Sequence, residues 1–276
     1  MLLDRLLSDL SIQVEPFAVC RVSDTSRLRF RGFGWVTLHF VLEGRGRMHG
    51  AGRTVDLRPS TLVVVPPGTP HSIEGMARST GTAGDLEVAC GRINAVYGPH
   101  LGLFDRLPGP LVVDFAGSPD VERVFARLLE EAQAETAGLQ AMTSALMREC
   151  LVLLLRKLCA EPDCSLPWLR ALDDPGLADV VDLILAQPEQ PHSVDSLAAS
   201  ASMSRTAFAT AFATSFGQTP MAFVREVRLR RAAELLRTTT LSIDGIARAV
   251  GYDSRSQFSR AFQRLFMEAP GRYRQV

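Results

Sequence analysis

Two hydrophobic periodicities divide the chain. From residue 14 to 115, apolar positions fall in short runs broken by glycine and proline. Trp35-Val36-Thr37-Leu38-His39-Phe40-Val41-Leu42 is a β-type run, and Leu62-Val63-Val64-Val65 is a buried strand ending at Pro66-Pro67-Gly68. Leu86-Glu87-Val88-Ala89-Cys90 is another, and Gly44, Gly46, Gly50 and Gly52 surround the short run Arg47-Met48-His49. Short strands punctuated in this way predict an antiparallel barrel or sandwich. From residue 119 the period becomes helical. Val121, Val124, Phe125, Leu128 and Leu129 share one stripe, and Leu146, Cys150, Leu153 and Leu154 share a second. Two consecutive amphipathic helices predict an αα-hairpin packed on the β domain, and any stripe left uncovered would serve as a homodimer seam. Residues 161–176 hold three prolines and four acidic residues and predict the domain boundary. From Leu177 the pattern is helical to the end. The expected fold class is α+β, with a β-barrel over 1–118, a helical hairpin over 119–160, a linker over 161–176 and an all-α domain over 177–276.

The helical part contains an internal repeat. Ser193-Val194-Asp195-Ser196-Leu197-Ala198 recurs as Ser242-Ile243-Asp244-Gly245-Ile246-Ala247, at an offset of 49. One residue is then inserted, and Phe208, Phe212 and Phe216 match Phe258, Phe262 and Phe266 at an offset of 50, as Pro220 matches Pro270. In each copy a serine (Ser193 or Ser242) is placed to cap a short helix and, after a brief turn, Ser204 or Ser254 to cap a second. Phenylalanines at i, i+4 and i+8 of that second helix lie on one face and predict core, leaving the opposite face free. Helix, tight turn, helix is the helix-turn-helix pattern, whose second helix enters the DNA major groove. Between the copies Pro220–Arg237 predicts one helix about 27 Å long. A rod of that length could hold two recognition helices near one duplex turn apart, roughly 34 Å.

Composition narrows the partners. Of 276 residues, 46% are apolar and 22% charged, as expected of a soluble globular chain. The longest strongly apolar run, Leu151–Leu155, is far short of a membrane span. Asp4, Arg5 and Asp9 interrupt the first twelve residues, which argues against a secretory segment. Five cysteines do not make an extracellular disulfide framework, so a cytoplasmic protein with reduced thiols is expected. The net charge of zero hides an asymmetry. Residues 192–276 contain 12 Arg, no Lys and 6 acidic residues, and the rest of the chain is correspondingly acidic. A basic C-terminal part points to an anion, with nucleic acid first among candidates.

The second recognition helix offers Arg255, Ser256, Ser259, Arg260 and Gln263 on its free face. Arginine can hold guanine O6 and N7 with two hydrogen bonds. Arg264, Arg272 and Arg274 follow as candidates for phosphates. The first recognition helix differs: beyond Arg205 it offers Thr206, Ala209, Thr210, Ala213 and Thr214, small side chains suited to thymine methyl groups.

Residues 168–276 resemble the AraC/XylS family of bacterial transcription regulators. The resemblance rests on the paired helix-turn-helix units, on Ile246-Ala247-Arg248-Ala249-Val250-Gly251-Tyr252-Asp253-Ser254 and Phe258-Ser259-Arg260-Ala261-Phe262, and on the ending Ala269-Pro270-Gly271-Arg272-Tyr273-Arg274. Met267 stands where the family usually has glycine. The resemblance implies a non-enzymatic, sequence-specific regulator that binds double-stranded promoter DNA and contacts RNA polymerase. It also implies that Thr206, Ala209, Thr210, Arg255, Ser256, Ser259 and Arg260 occupy base-reading positions. Trp168-Leu169-Arg170-Ala171-Leu172-Asp173-Asp174-Pro175 is typical of one subgroup. The N-terminal part is similar to the family's cupin-type sensor domain. The second cupin motif, Pro66-Pro67-Gly68-Thr69-Pro70-His71, is kept, whereas the first reads His39-Phe40-Val41-Leu42-Glu43 and lacks the second histidine of enzyme cupins. That loss argues against the rival reading, a cupin-type metalloenzyme fused to a helical domain.

Four side chains of the β domain carry chemistry: Cys20, His39, His71 and Cys90. Two thiolates and two imidazoles suit tetrahedral Zn²⁺ or a copper ion. Cys20 and Cys90 are equally redox candidates, through a disulfide or a sulfenic acid. An apolar small-molecule pocket and a ligand-free domain are the other readings. The set resembles the arrangement in the reactive-chlorine-sensing regulators of the family, which implies a redox or metal signal. Cys150 is expected to be core, Cys159 and Cys164 receive no role, and His49, His100 and His192 read as turn or surface residues.

Overall fold

The computed structural model describes residues 7, 10–15, 17–76, 85–97, 101–134, 137–160, 166–171 and 174–274; His100 and Cys164 lie outside them. The chain divides into two compact units, one formed by Leu6–Val96 and Gly102–Ser165, the other centred on Leu166–Val276.

The first unit holds β1 (Leu10–Val14), β2 (Ala18–Val22), β3 (Arg27–Phe30), β4 (Val36–Glu43), β5 (Gly46–Gly50), β6 (Arg53–Leu57), β7 (Thr61–Val65), β8 (His71–Gly75), β9 (Leu86–Tyr97, its last residue grouped with the second unit), β10 (Leu101–Gly102, its first residue grouped likewise) and β11 (Leu111–Asp114). The closed barrel expected from the sequence is not formed. The strands make two separate sheets: a seven-stranded sheet with path β1-β9-β4-β7-β11, in which β2 and β10 also pair with β9, and a four-stranded sheet β3-β8-β5-β6. The small sheet's edges resist further pairing. Strand β3 exposes Arg27 and Arg29, and β6 exposes Arg53 and Asp56, and charged edge strands block added ladders. The inner faces meet through Val22, Val41, Met48, Val63, Ile73 and Val88, all fully buried.

Strand β4 reads as a continuous apolar run because both its faces are covered. Phe40 stacks on Phe125 at 4.2 Å and 5°, beneath the helical hairpin of α1 (Pro119–Ala134) and α2 (Leu139–Ala160). His39 and Val41 face the other way, toward the small sheet. Most of the apolar stripe of α2 is covered within the unit: Leu146, Cys150 and Leu154 are buried, with Met147, Leu151 and Leu158 beside them, and Leu153 is half-buried.

The second unit is helical: α3 (Pro167–Ala171), α4 (Pro175–Ala186), α5 (Val194–Ser200), α6 (Arg205–Phe216), α7 (Pro220–Thr238), α8 (Ile243–Ala249), α9 (Arg255–Phe266) and α10 (Pro270–Tyr273). Helix α3 falls in the segment expected to be a linker. It forms because Trp168 and Leu169 are buried where it packs on α6. The two repeats share most of their local hydrogen bonding. Ser193 closes a capping box with Ser196, and Ser242 accepts from Gly245 N–H at 3.0 Å. The turns match through Met203 N–H to Ala198 O and Tyr252 N–H to Ala247 O, both 2.9 Å. Ser202 and Gly251 take the left-handed position in them, with φ of 55° and 80°. Ser204 caps α6, but Ser254 does not cap α9; its hydroxyl meets that of Ser256 at 2.8 Å instead. Phe208, Phe212, Phe258 and Phe262 are each 0% exposed and form the two cores that Phe216 and Phe266 extend.

Candidate nucleic-acid interface and thiol–imidazole site

Burial of one phenylalanine stripe turns the opposite face of each recognition helix to solvent. Arg205, Thr206 and Thr210 on α6 are exposed, and Ala209 is half-buried. On α9, Arg255, Ser256, Arg260 and Arg264 are exposed and Ser259 is half-buried. Arg205 is paired with Asp195 of α5, at 2.9 and 3.1 Å to its two carboxylate oxygens. Arg260 donates its Nε to the Ser256 carbonyl at 3.3 Å. Among the described residues, Arg255 and Arg264 have no acidic partner within ion-pair distance. Arg274, expected among the phosphate holders, is half-buried and donates to the Leu241 carbonyl, so it braces the loop before α8.

In the first unit the structure brings Cys20, His39, His71 and Cys90 together between the sheets. The antiparallel register places His39 of β4 opposite Cys90 of β9, and Cys20 of β2 one diagonal step from Cys90 on the same face. The Pro66–Pro70 turn delivers His71 to the start of β8, where it pairs with Gly50 of β5. A Cβ at Gly50 would lie 2.8 Å from the His71 Cβ, so glycine is what lets the imidazole sit there. Phe30 stacks on His71 at 4.7 Å and 8° and meets His39 edge-on at 4.7 Å. The sequence reading missed Phe30, although its alternation with Leu28 along β3 marks it as inward-facing.

The hydrogen bonds assign the protons. His71 Nδ1 lies 2.9 Å from the Thr69 carbonyl, which can only accept, so Nδ1 carries the hydrogen and Nε2 the lone pair. His39 Nε2, 2.7 Å from His71 Nε2, must then be the donor. His39 Nδ1 is left as an acceptor facing Cys90 Sγ at 3.2 Å. Burial, reinforced by repulsion from His71, pushes His39 down to about 3. Burial also lowers His71, against the pull of the Thr69 carbonyl. The Cys90 thiol hydrogen-bonds to Cys20 and lowers Cys20 to about 7, while the same contact and burial push Cys90 up. Cys90 has one proton and three acceptors around it, Cys20 Sγ, His39 Nδ1 and, more distant at 3.7 Å, the Val88 carbonyl. With Cys20 ionised, the proton is held by the thiolate.

As a metal site the set does not fit. Three of its four imidazole nitrogens are tied to one another or to a carbonyl, and the fourth faces the Cys90 thiol. Among the described residues, no group of three or more His, Cys, Asp or Glu is arranged to hold a metal ion. His49, read as a surface residue, is half-buried on β5 and bonds Thr54 at 3.1 Å and Glu74 at 2.8 Å. Arg27 and His49 together hold Glu74 at about 2.

A tandem helix-turn-helix unit joined to a cupin-type β unit defines a class of one-chain transcription regulators. Comparison with known proteins agrees: a cupin family profile matches residues 2–160 and a helix-turn-helix domain profile matches residues 197–275. The chain is 40% identical over 184 residues to the HTH-type transcriptional regulator AlkR of Acinetobacter baylyi, a match spanning 64% of this chain and 60% of that protein's own length. It is 29% identical over 243 residues to the RCS-specific HTH-type transcriptional activator RclR of Escherichia coli, spanning 86% of this chain and 83% of that one. It is 33% identical over 207 residues to a putative AraC-like transcription regulator of Streptomyces antibioticus, spanning 73% and 67%. The chain belongs to the AraC-type family of helix-turn-helix transcriptional regulators that carry an N-terminal cupin domain. No described helix is long and apolar enough to cross a membrane.

Proposed function

We propose that the protein is a sequence-specific regulator of transcription whose DNA affinity is set by oxidation of Cys20 and Cys90. The observation that carries the DNA half is the exposed guanidinium row of α9, on the side of the helix opposite the fully buried Phe258 and Phe262. The sensing half is supported by a half-exposed thiol at about 7, beside a buried thiol that itself faces a neutral imidazole.

A reactive chlorine oxidant of the hypochlorous acid type suits this geometry. The Cys20 thiolate attacks chlorine; an S–Cl bond forms and hydroxide leaves. Cys90 then attacks Cys20, an S–S bond forms and chloride leaves, and the Cys90 proton, relayed through His39 Nδ1, ends on the released hydroxide as water. The two sulfurs lose two electrons, and chlorine gains them. His71 acts by holding His39 in the accepting tautomer. The disulfide changes the relative stability of two states of the protein, and it can shift DNA binding only by its difference in free energy between them. RNA polymerase is the expected partner on the promoter.

Binding of the full-length protein, reduced and oxidised, to its own upstream region and to random duplex tests the reading. A specificity ratio well above one that changes on oxidation in wild type but not in Cys20→Ala supports it. A ratio near one in both redox states overturns the regulator reading. An unchanged ratio with stoichiometric zinc or copper in elemental analysis would replace the thiol switch by a metal site.

A further inference from the structure

Arg228, in the middle of α7, reaches out of its helix to two places that belong to different repeats. Its Nε donates to the Pro188 carbonyl at 2.6 Å, and one terminal nitrogen donates to Gln190 O at 2.7 Å, with Glu189 O more distant at 3.5 Å. The other terminal nitrogen donates to Gly251 O at 2.9 Å. Residues 188–190 form the loop that runs into Ser193, the cap of the first helix-turn-helix unit. Gly251 is in the turn of the second unit, three residues before Ser254 and the start of recognition helix α9. The two segments also touch directly. Gly251 sits at φ 80°, and a Cβ there would lie 2.5 Å from Glu189 O and 2.9 Å from the Arg228 guanidinium carbon.

We propose that Arg228 is the positioning residue that fixes the register between the two recognition helices, so that the pair accepts one spacing of DNA half-sites. This rests on the reading of α6 and α9 as a groove-reading pair. Each repeat packs on α7 through apolar contacts, and apolar packing is non-directional. Hydrogen bonds from a planar fork are directional, and only arginine supplies several donors in fixed geometry. The carbonyls of the two repeats are therefore locked to one rigid group. Adding one base pair between half-sites moves the second half-site along and around the duplex, and the locked pair cannot follow. A lysine at 228 keeps the charge but supplies a single rotatable ammonium, which can hold one of the two segments at a time.

The test uses full-length protein and a duplex selected in vitro with the wild type, together with the same duplex lengthened by one base pair between its half-sites and a duplex carrying one half-site alone. Wild type is expected to prefer the selected spacing by about tenfold or more. Arg228→Lys is expected to reduce that preference to about twofold while half-site affinity stays within about twofold of wild type. Gly251→Ala, which keeps the arginine but drives a methyl group into both the Glu189 carbonyl and the Arg228 guanidinium, is expected to shift or broaden the preferred spacing in the same way. It carries the test alone if the lysine variant fails to fold by circular dichroism. Spacing preference retained in both folded variants, or half-site and full-site affinities lost in parallel, overturns the proposal. A wild type indifferent to sequence overturns the groove-reading interpretation itself, which separates the two failures.

Discussion

His39 and His71 meet Nε2 to Nε2 at 2.7 Å across the gap between the two sheets. Two imidazoles in such contact share one hydrogen, and both protonated would bring two positive charges together in a buried site. His39 is therefore neutral in the folded state, with its titration lowered from 6.5 to about 3. Above about pH 6.5 the unfolded histidine is neutral too, and no penalty arises. As pH falls from 6.5 toward 3, the unfolded chain takes up a proton that the folded chain refuses, and stability declines by roughly 1.4 kcal/mol per pH unit for this one group. Urea unfolding at pH 7, 6, 5 and 4 is expected to show that slope on top of the background. His39→Gln should remove it, and an equal slope in the variant would show that His39 titrates freely.

The Cys20 thiolate owes its stability to the Cys90 S–H beside it. In reduced wild type, the pH profile of alkylation at Cys20 is expected to have its midpoint near 7. Cys90→Ala removes the donor, and the midpoint should move up by about two units, toward the ordinary thiol value, with slower labelling at pH 7. Mass spectrometry of the alkylated protein reads this directly. A midpoint unchanged in the variant would assign the lowered value to another group. Cys150 serves as an internal control, because burial raises it to about 12 and it should stay unlabelled in the native state.

Much of the DNA-binding unit was legible because its signals are local. Phenylalanine at every fourth position specifies a buried helical stripe, and a serine ahead of each short helix specifies where it begins. The β unit was less legible where pairing is non-local. Which sheet His71 joins depends on the turn at Pro66–Pro70 and on Gly50 opposite it, and neither gives the separation from His39. The open sheets follow from charged edge strands, whose effect depends on which strands end up at the edge. Arg228 was invisible for a plainer reason: its partners are backbone carbonyls, which carry no side-chain signature. Ser254 shows the limit of a positional rule, since it stands at the cap position but bonds Ser256.

Arg260 and Arg264 lie four residues apart on α9, and both are exposed, yet they are expected to act differently. Arg260 projects from the middle of the free face, where a recognition helix meets base edges, and Arg264 lies in the last turn. Arg260→Ala is expected to cost about 1–3 kcal/mol on the preferred site and to relax preference at one base pair. Arg264→Ala should weaken all duplexes alike and reduce the salt dependence of binding by about one phosphate contact. Salt titrations on matched and single-substituted duplexes separate these outcomes. A uniform loss for Arg260→Ala would demote it to a phosphate contact.

Met267 closes α9 in the left-handed conformation, with φ 55°, where the equivalent position after α6 is Gly217 at φ 67°. The methionine is 86% exposed, so no buried contact repays the cost of placing a Cβ in that region, on the order of 1 kcal/mol. Glycine gives part of that back through the greater freedom of its unfolded state. Met267→Gly is therefore expected to stabilise the protein by roughly 0.5–1 kcal/mol, read as a rise in the melting temperature of the DNA-binding unit. A fall in melting temperature would mean that Met267 contributes packing beyond what its exposure indicates. DNA affinity should be unaffected, since the groove-facing arginines lie on the face opposite the phenylalanine stripe that this cap terminates.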